Sequence, residues 1–393
     1  MRILYITLEN LSLHKGSVVH IKEVIDGLQK HGHQVGLIGS SMATLENADN
    51  FYNIHPNKLP LFKYFSIKEK SYFISSVLFF LTLIKVLRHY DLIYARDFHT
   101  VIIALIPRLL FKKKLVFEIN GLASKEQRLK GDSVVSSILA FLIEKTEKLA
   151  TKYSDRIVAV TPQIASYLVT RFDCQQSKVE VVTNGVNTKK FYPVQDKRIL
   201  AEWRRRLGIA EGEIVVAFVG NLAPWQGVES LIQVAPTLLR DHDNIRFLII
   251  GDGVLKDELK ANVNKLGISK NFIFTGMIDY KLIPLYINIT DVCVLLKRRL
   301  ASGYSPIKVY EYMACGKPIV ASRVEGLEFV ETEGVGRLVE SENIPNIGEV
   351  LRDLLKNSQK RMEMGLKGYQ LARQRFDWES KVAQIEKILE ELA

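Results

Sequence analysis

The sequence predicts an α/β protein made of two doubly wound domains, each with a parallel sheet covered by helices on both faces. Three observations support this prediction. At 393 residues, the chain is longer than one hydrophobic core usually holds. Short Val/Ile/Leu runs alternate with amphipathic helical patterns almost from end to end, as is typical of parallel sheets that are buried on both faces. The alternation occurs once in each half, which indicates two domains of the same type.

The first half begins directly with a short apolar run. Its expected strands are Ile3–Thr7, Val35–Ile38, Leu92–Ala95, Leu115–Ile119, Ile157–Val160 and Val179–Val182. The helices expected between them are Val18–Lys30, Val101–Leu110, Val134–Tyr153 and Pro162–Arg171. Because no basic segment and long apolar stretch precede the first strand, we expect no targeting signal.

The second half repeats this pattern after a polar, proline-containing stretch at Thr188–Asp196. Its expected strands are Ile214–Val219, Phe247–Ile250, Phe272–Thr275, Val292–Leu296 and Ile319–Ala321. Its expected helices are Val228–Leu239, Leu255–Leu266, Leu282–Asn288, Val309–Cys315, Ile347–Leu355, Ser358–Gln374 and Trp378–Leu392.

The net charge of +11 is unevenly distributed. Residues 1–190 hold 26 basic and 16 acidic side chains, whereas the remaining residues hold 28 and 27. A basic half indicates an anionic partner, which leaves nucleic acid, a membrane surface and a phosphorylated substrate open. The three cysteines are far apart and form no CxxC pair, which fits a reducing compartment such as the cytoplasm.

One apolar segment, Ser71–Leu87, requires comparison with a membrane span. It is 17 residues long and contains Ser75, Ser76, Thr82 and Lys85, whereas a span needs about 20 mostly apolar residues. Its flanks are basic, with Lys63, Lys68 and Lys70 before it. We therefore expect either a helix that lies at a bilayer interface or a buried helix of the domain core.

Turns that follow the strands are the expected ligand positions in an open parallel sheet. Gly16 begins the first long helix, where backbone N–H groups can approach a phosphate, but the pattern is not GxGxxG. In the second half, GNLAPWQG begins at Gly220 and would project Asn221 and Gln226 from the sheet edge. A tight turn with Trp225 packed on a helix is the structural alternative. The next strand ends in IIGDG, where Gly251 also permits close approach of the backbone.

The stretch Ser302–Ser322 holds the strongest candidates. A turn containing Gly303, Ser305 and Pro306 leads into a helix in which Lys308 and Glu311 share one face. Unpaired N–H groups at a helix start, together with a lysine, suit a diphosphate. A carboxylate one turn later can accept the hydroxyls of a ribose, while a Lys–Glu surface pair is the structural alternative.

Other candidates carry weaker signals. Asp241-His242-Asp243 imitates a metal-binding triplet but lies at a helix-to-strand turn, the wrong sheet end for a ligand, so we expect no metal site. His14, Arg96 and His99 follow strands and remain candidate contacts for an acceptor.

The order and spacing of these motifs resemble the retaining, nucleotide-sugar-dependent glycosyltransferases with the GT-B fold, in which two Rossmann-like domains face an interdomain cleft. The resemblance runs from Met1 to about Trp378. The similar segments are Lys15-Gly16 followed by Gly32-His33-Gln34-Val35, Val182–Val186 with Phe191-Tyr192-Pro193, FVGNLAPWQGVESLI, LIIGDG, Thr275–Ile278 and VYEYMACGKPIVAS. The final helix resembles the family's return helix. This implies an acceptor domain at 1–190 plus 376–393 and a donor domain at 191–375.

The resemblance implies roles for the matching residues. Gly16 would contact the donor diphosphate from the N-terminal domain, Met277 and Ile278 would border the nucleobase, and Glu311 would hold the ribose. The remaining donor contacts would come from Asn221, Gln226, Gly251, Ser305, Pro306, Ile307, Lys308 and Val309.

Three positions depart from the family pattern. Gly303 stands where the family has a second glutamate near the transferring sugar. Asn221 and Gln226 replace an Arg and a Lys of the phosphate loop, which leaves Lys308 as the diphosphate cation. Asn120 replaces a histidine, and we count it with Lys308 and Glu311 as a candidate catalytic residue.

The implied activity is retaining transfer of a sugar from a nucleotide-diphosphate sugar to a lipid-linked or glycan acceptor, without a metal or other cofactor. Fixed donors would stabilise the leaving diphosphate. The basic half and its apolar helix favour an anionic membrane surface as partner, at the inner face of the plasma membrane. Two alternatives stay open, a nucleotide-sugar epimerase and a non-catalytic partner subunit with the same fold. Nucleic-acid binding lacks any supporting motif.

Overall fold

The computed structural model describes residues 1–12, 16–40, 49–54, 68–128, 133–298 and 305–392, and for 68–75 it describes the backbone only. The chain divides into two compact units. The first comprises Met1–Asn184 together with Trp378–Ala393, and the second comprises Gly185–Asp377. Both are α/β units on parallel sheets, so the fold class predicted from the sequence is confirmed.

The first unit is built on a seven-stranded sheet in which every neighbouring pair is parallel. Its strands are β1 (Arg2–Asn10), β2 (Gln34–Ser40), β3 (Asn50–Asn53), β4 (Leu92–Arg96), β5 (Lys114–Ile119), β6 (Arg156–Ala159) and β7 (Val179–Val181). They lie in the order β3-β2-β1-β4-β5-β6-β7. The chain therefore reverses its direction across the sheet between β1 and β4, which is where open α/β sheets bind ligands.

Helices cover both faces of this sheet. They are α1 (Gly16–Lys30), α2 (Lys68–Val86), α3 (Phe98–Leu110), α4 (Ala123–Arg128), α5 (Val134–Tyr153), α6 (Pro162–Phe172) and the C-terminal α15 (Trp378–Glu390). The apolar stripe of α1 packs against the sheet and against α15. The two helices meet closely at Gly27, where an added Cβ would lie 2.4 Å from a methyl carbon of Val382. Larger residues at position 27 would separate α15 from the unit.

Helix α2 occupies the apolar segment that the sequence left open between interface and core. Phe79, Leu83 and Val86 are buried in the core, while Val77 and Leu81 are exposed. The described half of α2 is thus a core helix with an outer apolar edge. Among the described residues, no helix is long and apolar enough to cross a membrane.

The second unit has a six-stranded parallel sheet. Its strands are β8 (Ile214–Val219), β9 (Ile245–Ile250), β10 (Phe272–Gly276), β11 (Val292–Leu295), β12 (Ile319–Ser322) and β13 (Gly336–Val339). The order is β10-β9-β8-β11-β12-β13, so the reversal falls between β8 and β11. This repeats the arrangement of the first unit and marks a second expected ligand position.

The helices of the second unit pack on its sheet and form two apolar cores with it. They are α7 (Lys197–Arg206), α8 (Val228–Asp241), α9 (Lys256–Lys265), α10 (Ile283–Asn288), α11 (Ile307–Ala314), α12 (Phe329–Thr332), α13 (Ile344–Lys356) and α14 (Ser358–Arg375). Sequence patterns did not predict β3, β13, α4, α7 or α12. These elements are short or largely exposed, so their sequences contain little periodic apolar pattern.

Candidate functional site

Three glycines bring the backbone turns after β8 and β9 into close contact. Gly220 and Gly251 have φ angles of +143° and +132°, which favour glycine. A Cβ on Gly251 would lie 2.0 Å from the carbonyl oxygen of Gly220, and one on Gly253 would lie 2.4 Å from Oδ1 of Asn221. Side chains at these positions would force the two turns apart. The glycines therefore keep open the space at the carboxyl ends of these strands.

The side chain of Lys308, from the first turn of α11, crosses Gly220. A Cβ on Gly220 would lie 2.3 Å from Nζ of Lys308, so the lysine uses the space that the glycine leaves. Its Nζ is 5.5 Å from the ring centroid of Phe218. Burial lowers the pKa of Lys308 to about 8, although the nearby Glu311 carboxylate opposes this shift. The structure thus holds an ammonium group at the end of β8.

Glu311 lies one turn further along α11 and is only 4% exposed, which excludes a Lys–Glu pair at the surface. The hydroxyl of Tyr280 donates a 2.7 Å hydrogen bond to Oε1 of Glu311. Burial raises the pKa of Glu311 to about 7, while the bond from Tyr280 and the charge of Lys308 act in the opposite direction. The buried carboxyl group therefore changes its charge near neutral pH.

A second lysine at this sheet edge was not singled out from the sequence. Lys297 lies two residues after the end of β11 and is 7% exposed. Burial, and after it the charge of Lys308, lowers the pKa of Lys297 well below its ordinary value. A charged residue placed straight after the buried run VCVLL is the sequence signal that could have identified it. Two buried lysines therefore accompany the reversal between β8 and β11.

Helix α11 begins at Ile307, two residues before the predicted start, with Pro306 as its N-cap residue and no capping side-chain hydrogen bond. The amide of Val309 donates to the carbonyl of Pro306 at 3.1 Å. Ile307 is the first helical residue, and Oγ of Ser305 lies 3.2 Å from the hydroxyl of Tyr310. An uncapped helix start beside a lysine favours an anion.

The GNLAPWQG turn packs against the chain that follows β11. A Cβ on Gly227 would lie 1.7 Å from the carbonyl oxygen of Leu296. Gln226 is 6% exposed, and its Oε1 has no hydrogen-bond partner within the described part of the chain. Asn221 is exposed, and Trp225 is 47% exposed rather than packed away. Gln226 is therefore the member of this turn whose amide is buried at the sheet edge.

The turn after β10 places its two predicted residues differently. Met277 is 62% exposed, whereas Ile278 is partly buried against the core.

In the turn after β9, Asp252 accepts hydrogen bonds from the amide of Gly253 at 2.8 Å and from Nζ of Lys256 at 2.6 Å. These contacts account for Asp252 locally, without a ligand.

In the first unit, a fully buried carboxylate, Glu118 at the end of β5, collects several polar side chains. Tyr94 and Asn120 each donate to it at 2.7 Å. Nε2 of His20 lies 2.9 Å from it and Nε of Arg96 lies 3.3 Å from it. Burial by itself would raise the pKa of Glu118, but His20, Arg96 and Asn120 together lower it to about 2. Glu118 is therefore an ionised anchor for this strand edge.

The remaining predicted residues of the first unit lie around this anchor or apart from it. Asn120 and Arg96, which the sequence had singled out separately, both contact Glu118. His99 lies apart, with 61% of its side chain exposed. Gly16 is the first residue of α1 and is exposed. His14 and Gly303 are outside the described residues.

Asp241, the first residue of the triplet at 241–243, takes part in an ion pair. Oδ2 of Asp241 lies 2.6 Å from Nε of Arg352. Within the described ranges there is no group of three or more His, Cys, Asp or Glu side chains arranged to hold a metal ion.

Comparison with known protein families identifies both halves of the chain. Residues 14–190 match the family described as Glycosyltransferase Family 4, and residues 201–371 match Glycosyl transferases group 1. The chain belongs to the glycosyltransferases of the GT-B type, as its two parallel-sheet units and its motifs had indicated.

Individual relatives agree with this assignment. The chain is similar to an uncharacterized glycosyltransferase of Methanocaldococcus jannaschii, with 27% identity over 84% of this chain and 83% of that protein. It is also similar to a GDP-mannose-dependent phosphatidylinositol monomannoside mannosyltransferase of Mycolicibacterium smegmatis, with 28% identity over 54% of this chain and 56% of that protein. Among solved structures, Anabaena HepE in complex with UDP-glucose has the same fold, with a TM-score of 0.77, 19% identity and full coverage of both chains.

Proposed function

We propose that this protein is a retaining glycosyltransferase that moves a sugar from a nucleotide-diphosphate sugar to a lipid-linked or glycan acceptor at a membrane surface, in the synthesis of cell-surface polysaccharide or glycoconjugates. The observation that carries the proposal is the pairing of a buried ammonium and a buried carboxyl group at the reversal between β8 and β11. Lys308 crosses Gly220, and Glu311 lies one turn further along the same helix.

In this proposal the donor diphosphate lies against Lys308 and the start of α11. The uncapped helix end and the ammonium group both favour negative charge. Lys297 adds a second buried lysine at the same edge. Gly220 and Gly251 keep side chains away from the phosphates, while the amide of Gln226 has a buried acceptor ready for a ligand donor.

The nucleoside part of the donor is assigned to Glu311, one turn further along α11 from Lys308. Glu311 accepts the ribose hydroxyls, and Tyr280 orients the carboxylate through its 2.7 Å hydrogen bond. Hydrogen bonds from hydroxyls favour the ionised form of a carboxylate, so donor binding lowers the pKa of Glu311 from about 7. Met277, which is exposed, and Ile278 border the nucleobase.

The proposed chemistry is front-face transfer. The bond between the anomeric carbon and the diphosphate oxygen breaks, and the acceptor oxygen bonds to the same face of the sugar. The proton of the acceptor hydroxyl passes to the departing phosphate oxygen. Lys308 and the amides at the start of α11 stabilise the negative charge that develops on this oxygen, a role that requires no metal ion.

Acceptor binding is assigned to the first unit. His99 is exposed and can contact an acceptor hydroxyl directly. Arg96 is 8% exposed and paired with Glu118, so we propose that Arg96 shapes this strand edge together with Asn120. A lipid-linked acceptor agrees with the positive excess of residues 1–190 and with the lipid named for the mycobacterial relative. We place the reaction at the inner face of the plasma membrane, where the three free thiols stay reduced.

The decisive experiment supplies the purified protein with a panel of nucleotide sugars and a membrane extract as acceptor source. We expect nucleoside diphosphate release with one donor, a product of unchanged anomeric configuration and full activity in the presence of EDTA. Lys308→Met and Glu311→Gln should each weaken donor binding at least about tenfold. No release and no donor binding with any nucleotide sugar would refute the proposal.

A non-catalytic partner subunit is the second candidate, favoured by Asn120, which stands in place of the family's histidine and is engaged with Glu118. This second candidate predicts that the protein binds the donor but transfers no sugar to any acceptor. An epimerase would change the sugar while it remains attached to the nucleotide. Analysis of the nucleotide sugar after incubation separates these outcomes from transfer.

A further inference from the structure

The outer face of α5 is apolar although it is exposed. Val134 and Val135 are each 75% exposed, and Ile138, Phe141 and Leu142 are 56%, 53% and 55% exposed. The side chains that α5 turns inward include small and polar ones, namely Ser136, Ala140, Glu147, Ala150 and Thr151. In its first half α5 is therefore patterned opposite to an ordinary surface helix, which buries its apolar stripe.

The exposed apolar surface continues to the other end of α5 and onto α3. Leu149 and Tyr153 are 43% and 50% exposed, and Leu109 and Leu110 at the end of α3 are 70% and 67% exposed. The two helix ends are in contact, because Arg108 of α3 donates a 2.6 Å hydrogen bond to the carbonyl oxygen of Tyr153. An exposed apolar surface of this extent indicates a binding partner.

A basic cavity borders the apolar face of α5. Its volume is about 280 Å³, and it is lined by Arg128, Phe141, Glu144, Lys145, Lys148, Arg171 and Phe172. Four of these side chains are cationic and one is anionic. The carboxylate of Glu144 lies 2.5 Å from Arg128 and 3.4 Å from Arg171. Nζ of Lys145 lies 5.1 Å from the ring centroid of Phe141, which joins the basic cavity to the apolar face.

We propose that the apolar face of α5, together with this basic cavity, docks the protein on the surface of an anionic phospholipid bilayer. The apolar side chains enter the region between headgroups and acyl chains, and the cavity receives a headgroup phosphate. Charge favours lipid over a second copy of the chain. In a twofold dimer through this face, the same cationic side chains of both copies would meet.

This inference deepens the membrane location in the proposed function and assigns it to α5 rather than to α2. The described part of α2 buries Phe79 and Leu83 and exposes only the narrow edge of Val77 and Leu81. Donor binding by the second unit does not depend on this docking.

Vesicle flotation of the full-length protein tests the inference. We expect flotation with phosphatidylcholine vesicles that contain phosphatidylglycerol, much weaker flotation with phosphatidylcholine alone, and a loss of binding as the salt concentration rises. The double variant Ile138→Ser/Leu142→Ser should bind at least about tenfold more weakly, because two apolar side chains leave the interface. Lys145→Ala/Lys148→Ala should reduce the preference for anionic lipid.

The chain offers a matched control on α14 of the second unit. Met362 and Leu366 are also four residues apart and are 62% and 58% exposed. Met362→Ser/Leu366→Ser should float like the unmodified protein. Equal flotation of both double variants would refute the inference. It would also be refuted if the protein did not float but formed a dimer that Ile138→Ser/Leu142→Ser dissociates. Nucleoside diphosphate binding, measured in parallel, reports on the proposed function separately, and thermal unfolding of the first unit shows whether the α5 variants fold.

Discussion

Two buried carboxyl groups at the sheet edges are held in opposite states by their neighbours. Glu118 is surrounded by His20, Arg96 and Asn120, which keep its pKa near 2 despite burial. Glu311 has Tyr280 and Lys308 nearby, yet burial raises its pKa to about 7. Glu118 is thus fully satisfied by the protein, whereas Glu311 gains from further hydrogen-bond donors. That contrast fits a structural role for Glu118 and a ligand-binding role for Glu311.

The pKa of Lys308 leads to a prediction for donor binding. An ammonium group that faces a diphosphate must be protonated, and the pKa of Lys308 is about 8 in the absence of ligand. We therefore expect the affinity for nucleoside diphosphate to fall as the pH rises above about 8. The bound anion raises the pKa of Lys308, so the lysine of the complex loses its proton at a higher pH than the lysine of the free protein. Calorimetric titration over the range from about pH 7 to 9.5 measures this dependence.

Lys308→Met should abolish this pH dependence and bind about tenfold more weakly at neutral pH. Lys265→Met, which removes a lysine from the exposed end of α9, should retain both the affinity and its pH dependence. An affinity that stays constant through this pH range in the unmodified protein would contradict the assigned role of Lys308.

Replacement of Glu118 gives a prediction for stability. Glu118→Gln leaves Arg96 and His20 buried without their carboxylate, so we expect a loss of roughly 3 kcal/mol in the free energy of unfolding at neutral pH. Because folding lowers the pKa of Glu118 from 4.5 to about 2, its contribution is complete above pH 4.5 and is lost as the pH falls toward 2. The difference between the two proteins should shrink over that interval.

Urea unfolding at several pH values measures the difference. Asn120→Ala removes one hydrogen bond to the same carboxylate, and it should cost only about 1 kcal/mol. If Glu118→Gln were as mild as Asn120→Ala, Glu118 would not be the anchor of this cluster.

At the scale of elements, the sequence predicted those strands and helices that bury a continuous apolar run or stripe. The central strands β1, β4, β8 and β9 are of this kind. By contrast, β3 has the sequence NFYN, and none of its four residues is fully buried. Strand β13 begins with a glycine whose added Cβ would lie 2.1 Å from the carbonyl oxygen of Ile319, so close backbone packing rather than apolar pattern places it there. Such contacts depend on the folded neighbours.

A histidine–carboxylate cluster, which no pattern in the sequence indicated, joins the turn after α1 to helix α15. Glu386 on α15 lies 2.6 Å from Nδ1 of His31 and 2.7 Å from Nε2 of His33, and Glu379 lies 3.0 Å from His31. The hydrogen bonds that His31 donates to Glu379 and Glu386 raise the pKa of His31. Slight burial would raise the pKa of Glu386, but His31 and His33 lower it. The residues are 348 or more positions apart in sequence, so only the fold brings them together.

This cluster predicts a pH window for the attachment of α15. The contribution of His31 is complete below its ordinary pKa of 6.5 and is lost as the pH rises through its folded value, whereas that of Glu386 is complete above 4.5. Glu386→Gln should therefore lower the melting temperature most between pH 4.5 and 6.5 and least in alkaline solution. Water screens these side chains, so we expect about 1 kcal/mol or less.

Thermal melts at about pH 5.5 and pH 8 compare the two conditions. Glu390→Gln makes the same change at an exposed position of α15, and it should affect stability equally little at both. A pH-independent effect of Glu386→Gln would show that the histidines do not respond to its charge.

At the scale of the whole molecule, the residues that the motifs singled out come together more completely in the second unit than in the first. Lys308, Glu311, Gly220 and Gly251 are close in space because the carboxyl ends of neighbouring parallel strands meet, a rule that sequence reasoning can apply. The Glu118 cluster joins residues from β4, β5 and α1. It extends to Asn184, the last residue before the second unit, whose amide oxygen lies 2.6 Å from Nδ1 of His20. The signal was a single carboxylate within the apolar run KLVFEI, and only the fold identifies its partners.

The division into two units with separate cores gives the last prediction. Trp378 begins α15 and is 4% exposed in the core of the first unit, although it follows directly on the second unit in sequence. Met313 is fully buried in the core of the second unit. Trp378→Ala should destabilise the first unit by about 3–5 kcal/mol, and Met313→Ala should destabilise the second by about 2–5 kcal/mol.

Calorimetry of the full chain, with and without nucleoside diphosphate, separates the two effects. The ligand should raise the transition of the second unit, because it binds only the folded state. Trp378→Ala should lower the transition that the ligand does not move, whereas Met313→Ala should lower the one that it does. If Trp378→Ala lowered the ligand-sensitive transition instead, α15 would stabilise the donor-binding unit and the assignment of the chain's last helix to the first unit would be wrong.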